Sequence, residues 1–445
     1  MGKVAEAVVG WPPELSLPIV GGIAFVYALF AGLWGVVITD FVQFFIALGG
    51  AVIFAIFAVE HVGGLASLVD NLSTGELLNF FPHPPANTSL LRGAFWTPAL
   101  VGLAVYSLIQ WWAYLNSDGG GKIIQRMSAS KDERHALWGV LWFNIAHYVI
   151  RPWPWILVAL ASVIVYPEMA DPEMAYPRLM MEILPAGWLG LLIAGFLAAF
   201  MSTIDTQLNW GSSYLINDIY RRFIVKDAPD RHYLLASKVS VLILSILTVG
   251  VALFIDSVRG AFMFILAFGA GTGAVYILRW FWWRINAWTE ISAMIASTII
   301  SSSSYVLNKY AGAGISYPAI ISITAFGSAV VWIAVTFLTR PVPTTHLTKF
   351  YQRTRPWGAW GPVKADLSNA VEVGERGEAA KAISWVVLGT VGLFGLLLGL
   401  GKLLLGDPVT GVVLLVVAGI CWTVLMITGG LDGNAVVVGN TTTKD

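Results

Sequence analysis

Apolar runs long enough for about twenty helical residues, separated by short charged loops, recur from about residue 17 to about residue 430. Roughly twenty residues of helix rise far enough to cross a ~30 Å hydrocarbon core. Lipid offers no partner to backbone N–H and C=O groups, so a spanning chain must close its hydrogen bonds within helices or a sealed barrel. Barrel strands would be half as long and would alternate polar with apolar residues. The runs do neither, and the chain is expected to be an all-α polytopic membrane protein. Its composition agrees, with 57% hydrophobic and 12% charged residues, a balance unlike that of soluble domains.

The runs place spans near residues 17–30, 32–58, 94–116, 136–166, 185–220, 232–256, 261–283, 287–310, 317–338, 383–405 and 408–429, about eleven in all by the length criterion. Lys122, Arg126, Lys131 and Arg134 share one loop, and Arg221, Arg222, Lys226 and Arg231 another. The loop between them carries Glu168, Asp171, Glu173 and Glu182. Basic loops stay on the cytoplasmic side. The chain is therefore a multi-pass protein of the cytoplasmic (inner or plasma) membrane, with Asp40 in the inner half of its span. Residues 1–16 lack the pattern of a signal peptide and are read as a short leader. Residues 339–382, with Pro341, Pro343, Pro356 and Pro362, are expected to be a cytoplasmic linker, 383–430 to hold C-terminal helices, and 431–445 to be a polar tail.

A formal net charge of zero advertises no nucleic-acid surface, and the single cysteine, Cys421, excludes an internal disulfide and a cysteine metal cage. The histidines are scattered without metal-ligand spacing, and no convergent catalytic constellation is visible, which argues against an enzyme.

Against this apolar background the stretch Leu197-Ala-Ala-Phe-Met-Ser-Thr-Ile-Asp205 sets two hydroxyls and a carboxylate in one helical span. Polar groups at membrane depth are costly and point to ion handling. The alternative is that Ser202 and Thr203 only bond back to the preceding helical turn. Asp205, three residues beyond Ser202, falls on nearly the same face. Two spans also carry helix breakers, at Asn116-Ser-Asp-Gly-Gly-Gly-Lys122 and at Arg151-Pro-Trp-Pro-Trp155. Broken helices line the binding cavities of transporters, although a glycine run can equally turn the chain at the surface. The span before the first break offers Tyr106, Gln110, Trp111, Trp112, Tyr114, Asn116, Ser117 and Asp118 to a polar organic solute. His147 and Arg151, one turn apart, can form a polar contact, or His147 can be a hydrogen-bonded interior histidine.

Three motifs, in order, carry a resemblance. Tyr27-Ala-Leu-Phe-Ala-Gly-Leu-Trp-Gly-Val-Val-Ile-Thr-Asp-Phe-Val-Gln43 resembles the signature of the sodium:solute symporter family, with its Thr-Asp-x-x-Gln. Gln125-Arg126 with Ala129 and Lys131 resembles the element after that family's broken substrate helix. Ala198-Ala-Phe-Met-Ser-Thr203, followed by Asn209 and Asn217-Asp-Ile-Tyr-Arg-Arg-Phe223, is similar to its second characteristic helix. The resemblance implies a LeuT-type fold of two five-helix inverted repeats. On that reading 17–58 holds the last two helices of an incomplete first repeat, 94–283 is the second repeat, and 287–338 adds flanking helices.

It also implies function. The Ala199 carbonyl with Ser202 and Thr203 would supply half of the main sodium site, and Asp40, Ser202, Asp205 and Thr206 would form a second one. An Asp at 205 departs from the hydroxyl more usual there, and two carboxylates at one site repel unless a cation or a proton intervenes. Sodium-coupled symport of a small polar organic solute by alternating access is the implied activity, with Na+ as coupling ion and no further cofactor; no protein partner is implied, and partners and oligomeric state stay open. The absent early helices suggest an N-terminally truncated fragment. The rival readings are a non-transporting or sensor-like relative and a proton-coupled symporter.

Overall fold

A computed structural model of the chain describes residues 1–30, 33–73, 77–85, 88–89, 93–113, 121–255, 257–365, 367 and 376–429. Among these residues the secondary structure is helical, apart from one isolated bridge between Trp282 and Ala359. Eight helices are long and apolar enough to cross a membrane, or nine if the bent pair Gly2–Val9 and Pro13–Ala28 forms one span. The remaining expected spans are helical too. Pro98–Ala113 is shorter, and Ala287–Ala311 owes its lower hydropathy to hydroxyl residues that include Ser301, Ser302, Ser303 and Ser304.

The helices group into two compact units. One comprises Met1–Leu78, Ala146–Val258 and Leu400–Gly411; the other comprises Asn79–Ile145, Arg259–Gly399 and Val412–Asp445. The expected second repeat, 94–283, is thus divided between the units.

In the first unit, Leu33–His61 crosses Ala186–Ser213 where small residues allow close contact. A Cβ added to Gly195 would lie 3.1 Å from Ala47 Cα, and one added to Gly50 would lie 3.4 Å from Leu192 Cα. Without a hydrophobic drive in lipid, such small-residue faces are what let helices associate. Phe54, Ala58, Leu68, Val158, Leu179 and Leu192 form the adjoining buried core. The leader belongs to this unit. Gly2–Val9 turns through 114° into the next helix, Val4 and Ala5 are buried, and Lys3 Nζ donates to Asp171 Oδ2 at 2.6 Å.

In the second unit, Val258–Phe281, Ala287–Ala311 and Tyr317–Leu338 pack along a seam of glycines and hydroxyls. Added Cβ atoms at Gly269 and Gly273 would collide with the carbonyls of Ala113 and Trp112. Part of the expected linker is built rather than extended. Thr344–Thr354 and Gly361–Ala365 are helices whose Leu347, Tyr351, Trp360 and Val363 form a buried cluster, and Trp360 Nε1 donates to the Trp280 carbonyl at 3.1 Å. Prolines and charges dominate the composition of 339–382, and they masked the few aromatic residues that anchor it.

Candidate functional site

Within the first unit, a cavity of about 250 Å³ is lined from three helical segments. Asp40, Gln43, Phe44, Ala47, Leu48 and Ala51 come from Leu33–His61; His147, Arg151 and Trp155 from the segment beginning at Ile145; and Ala199, Ser202 and Thr203 from Ala186–Ser213. Ala47 and Gly195 set the crossing, and one turn beyond Gly195 the chain reaches Ala199. The polar ladder therefore opens onto space beside the tightest contact of the two helices.

Ser202 Oγ and Thr203 Oγ1 donate to the Ala199 carbonyl at 3.1 and 2.9 Å. This is the back-bonding considered as the alternative to a site, yet the same three residues border the cavity. The two descriptions are compatible. A hydroxyl that donates its proton keeps acceptor lone pairs, and a carbonyl can serve more than one partner. Back-bonding thus fixes where those lone pairs lie. Asp40 lines the same cavity, and so does Gln43, whose Oε1 is buried without a hydrogen-bond partner. The assembled set offers a carboxylate, an amide oxygen, two hydroxyls and a carbonyl, all hard oxygens suited to a small cation.

Asp205 is fully buried. Its Oδ1 accepts a hydrogen bond from Asn209 Nδ2 at 2.5 Å, while its Oδ2 has no hydrogen-bond partner. It lies within electrostatic reach of Asp40 but is not among the cavity's lining residues. Thr206 is half-buried one residue on and does not line the cavity either. The proposed second cluster is thus brought together only in part, with Asp40 and Ser202 on the cavity and Asp205 and Thr206 outside its lining. Tyr27 and Thr39, both within the signature run, are bonded to each other through their hydroxyls at 2.7 Å, which ties its two helices together beside Asp40.

The prolines at 152 and 154 do not interrupt their span. Residues Ile145–Ile150 form a π turn in which Arg151 N–H reaches back five residues to the Ala146 carbonyl at 3.0 Å, and Pro152 and Pro154 fall in the first turn of Pro152–Val165. Proline costs little at a helix start, where its missing N–H would have had no partner, and π turns are frequent at functional sites. Successive positions four apart drift around an α-helix, and one wider turn offsets that drift. His147, Arg151 and Trp155 consequently share the cavity face. His147 and Arg151 do contact each other, Nη1 donating to Nδ1 at 2.8 Å.

The second unit holds the substrate candidates that are described. Gln110 is half-buried, and its Oε1 has no hydrogen-bond partner. The Trp112 indole donates to the Ala270 carbonyl at 3.1 Å, and the Trp111 indole donates to Leu108 of its own helix at 3.1 Å. Both N–H groups are therefore engaged in packing. Tyr106 is exposed and lies against Tyr317 with ring centroids 6.2 Å apart. Another π turn, Tyr106–Gln110, shapes this helix. Tyr114, Asn116, Ser117 and Asp118, with most of the glycine break, lie outside the described residues.

Gln43, His147, Arg151 and Trp155 were not among the site residues read from sequence. For Gln43 a signal existed, since it closes the Thr39-Asp-x-x-Gln run one turn after Asp40. For the other three the signal was weaker: an ionisable pair four residues apart, followed by tryptophan, in an otherwise apolar span.

Residues 2–300 match the sodium:solute symporter family. The chain is 28% identical over 311 residues to the osmoregulated proline transporter of Bacillus subtilis (strain 168), covering 67% of this chain and 59% of that one. It is 25% identical over 399 residues to sodium/glucose cotransporter 2 of Rattus norvegicus, covering 77% and 58%. It is 26% identical over 324 residues to the sodium/glucose cotransporter of Vibrio parahaemolyticus, covering 66% and 58%. The chain thus spans a little over half the length of these relatives. In fold it is similar to a Na+-coupled sialic acid symporter solved in a substrate-bound, outward-open state, with a TM-score of 0.58, 18% identity, and coverage of 77% of this chain and 71% of that one.

Proposed function

This chain belongs to the sodium:solute symporter family, and from that premise we propose that it takes part in sodium-coupled symport of a small polar organic solute across the cytoplasmic membrane. The relatives are transporters rather than enzymes, and the chain is a multi-pass membrane protein. The observation that carries the reading is the cavity where Asp40, Gln43, Ala199, Ser202 and Thr203 meet. Cation coupling needs several oxygens that exchange ligands quickly, and neutral hydroxyls, an amide and a carbonyl beside one carboxylate supply that.

Ala199, Ser202 and Thr203 are assigned to the main sodium site, and Asp40, Ser202, Asp205 and Thr206 to a second one. The buried Asp205 supports the second assignment, because a carboxylate held in low dielectric with one oxygen unpartnered is costly until a cation arrives. The helix carrying Tyr106, Gln110, Trp111 and Trp112, with Tyr114, Asn116, Ser117 and Asp118 beyond it, is assigned to the solute path.

The test is the melting temperature of the purified chain in sodium chloride against choline chloride at equal ionic strength. A ligand that binds only the folded state raises it, so a sodium-specific rise that S202A and T203A weaken is expected. Equal melting in the two salts would reject the site. Uptake of proline and glucose, the solutes for which relatives are named, into vesicles under a sodium gradient then tests the activity.

A further inference from the structure

The segment 340–365 carries five basic residues, Arg340, Lys349, Arg353, Arg355 and Lys364, and no acidic one. Helix Thr344–Thr354 turns Leu347 and Tyr351 into the buried aromatic cluster. Lys349 and Arg353 lie about half a turn round from that pair. Both are exposed, as are Arg340 and Arg355. Among the described residues, none of these four side chains has an ion-pair or hydrogen-bond partner. The charge is therefore turned outward and is not answered by the protein itself.

Aromatic contacts set the depth of this patch. The span Val258–Phe281 ends on Trp280 and Phe281. Phe350 lies against Trp280 with ring centroids 5.9 Å apart, and Trp357 lies against Phe281 at 6.5 Å. Arg340 follows two residues after Leu338, where the span Tyr317–Leu338 ends. The basic residues thus stand where two spans leave the hydrocarbon, at the level where tryptophan and tyrosine collect and lipid headgroups begin.

Arg355 gives a second, independent sign. With φ 41° and ψ 51° it is the one non-glycine residue of positive φ among the described residues. A helix end of this kind ordinarily uses glycine, and Pro356 restricts the residue before it further. An arginine is held where the backbone favours no side chain at all, and strain of that sort gathers at functional positions.

We propose that 340–365 is a docking surface for the headgroups of anionic phospholipids, with Lys349, Arg353 and Arg355 at its centre and Arg340 beside them. The orientation read from the basic loops places it at the cytoplasmic leaflet, whose surface is negative. Its position at the ends of two spans favours a lipid over an anion free in water. The inference is independent of the sodium reading.

The experiment titrates the purified full chain, in micelles of a neutral detergent, with phosphatidylglycerol or phosphatidylcholine and follows its melting temperature. Phosphatidylglycerol is expected to raise it and phosphatidylcholine to leave it unchanged, with a smaller rise at high salt. Each Lys or Arg near an anionic surface strengthens binding about fivefold. K349Q/R353Q/R355Q should therefore raise the half-maximal lipid concentration by more than about tenfold. R221Q/R222Q/K226Q removes as many charges from the other basic loop and should leave that concentration within about twofold, since screened distant charges contribute little. R355G removes one charge while easing the backbone, so it should keep the fold and weaken the lipid response about fivefold. R355K should restore it.

If the triple variant does not fold, R355G read alone decides. No rise with phosphatidylglycerol, or an equal rise with phosphatidylcholine, would overturn the proposal. So would an equal rise with inorganic phosphate or glycerol phosphate, which would mark a site for free anions. An undiminished response in the deciding variant, or an equal loss in the triple from the other loop, would overturn it as well.

Discussion

Hydroxyls and small residues fill two regions of this molecule at membrane depth, and they do different things in each. In the second unit they close a seam. Ser301 Oγ donates to the Ser297 carbonyl at 2.7 Å, Ser304 Oγ to Ile300 at 2.8 Å and Ser328 Oγ to Thr324 at 2.6 Å, while Thr289 and Thr336 share a bond at 2.8 Å. Ser297, Thr324, Ser328, Thr289 and Thr336 are fully buried, and of these only the Thr324 hydroxyl has no partner. In the first unit, Ser202 and Thr203 make the same kind of back-bond but border a cavity that also holds Asp40, His147 and Arg151. A hydroxyl in a span therefore points to a site only where open space and ionisable groups accompany it. Elsewhere it is a means of close packing.

The largest effect should come from breaking the seam. A Cβ at Gly273 collides with the Trp112 carbonyl, so Gly273→Val should cost about 3 kcal/mol or more through overpacking and abolish a monodisperse peak in size-exclusion chromatography. Gly190, where an added Cβ meets nothing within 4 Å, should tolerate alanine in the same assay. Survival of Gly273→Val with an unaltered profile would refute the close contact.

Next come the carboxylates of the first unit. Removing a charged ligand forfeits about 1.5–3 kcal/mol, so Asp40→Asn and Asp205→Asn should each raise the sodium concentration needed for half-maximal stabilisation by about tenfold or more. In the transporting protein, Asp205→Asn should also lower the number of sodium ions moved per solute. An unaltered stoichiometry would remove Asp205 from the proposed second sodium site.

Smaller still, and the most direct contrast of the two regions, is a pair of serine changes. Loss of one neutral ligand is worth about 1 kcal/mol, so Ser202→Ala should weaken sodium binding about fivefold. Ser328→Ala should leave sodium binding unchanged and cost about 0.6 kcal/mol of stability, as intramembrane hydrogen bonds typically do. Equal sodium effects at both positions would erase the distinction.

The smallest effect lies outside the spans. The hydrogen bond from Lys3 holds the Asp171 carboxyl below its ordinary value. Because the folded pKa is depressed, the pair's contribution is present above the unfolded value of 3.8 and is lost as pH falls through the folded one. Asp171→Asn should slightly flatten the acid side of the melting-temperature profile, while sodium-induced stabilisation near neutral pH stays unchanged. A sodium response altered as strongly as in the cavity variants would contradict a role for this half-buried pair that is confined to holding the first helix in place.

The sequence alone determined that the chain is helical and membrane-embedded, where most of its spans fall, and that Ser202, Thr203, Asp40 and Asp205 are polar groups at membrane depth. All of these follow from local properties: hydropathy over about twenty residues, the need of each span to satisfy its own backbone, and the solvation cost of a polar group. The family, and with it the Ala199 carbonyl, came from the resemblance of three motifs. Only the tertiary structure decided which polar groups share a cavity. It joined Gln43, His147, Arg151 and Trp155 to the ladder, paired Asp205 with Asn209 outside the cavity lining, turned the Trp111 and Trp112 indole N–H groups to packing, and anchored Trp360 in what reads as a linker. The reason is that a helix's rotation about its axis is fixed by its neighbours. The contact of Gly195 with Ala47 and the π turn at Ile145–Ile150 set those rotations between segments far apart in the chain, and composition and spacing within any one segment carry no record of them.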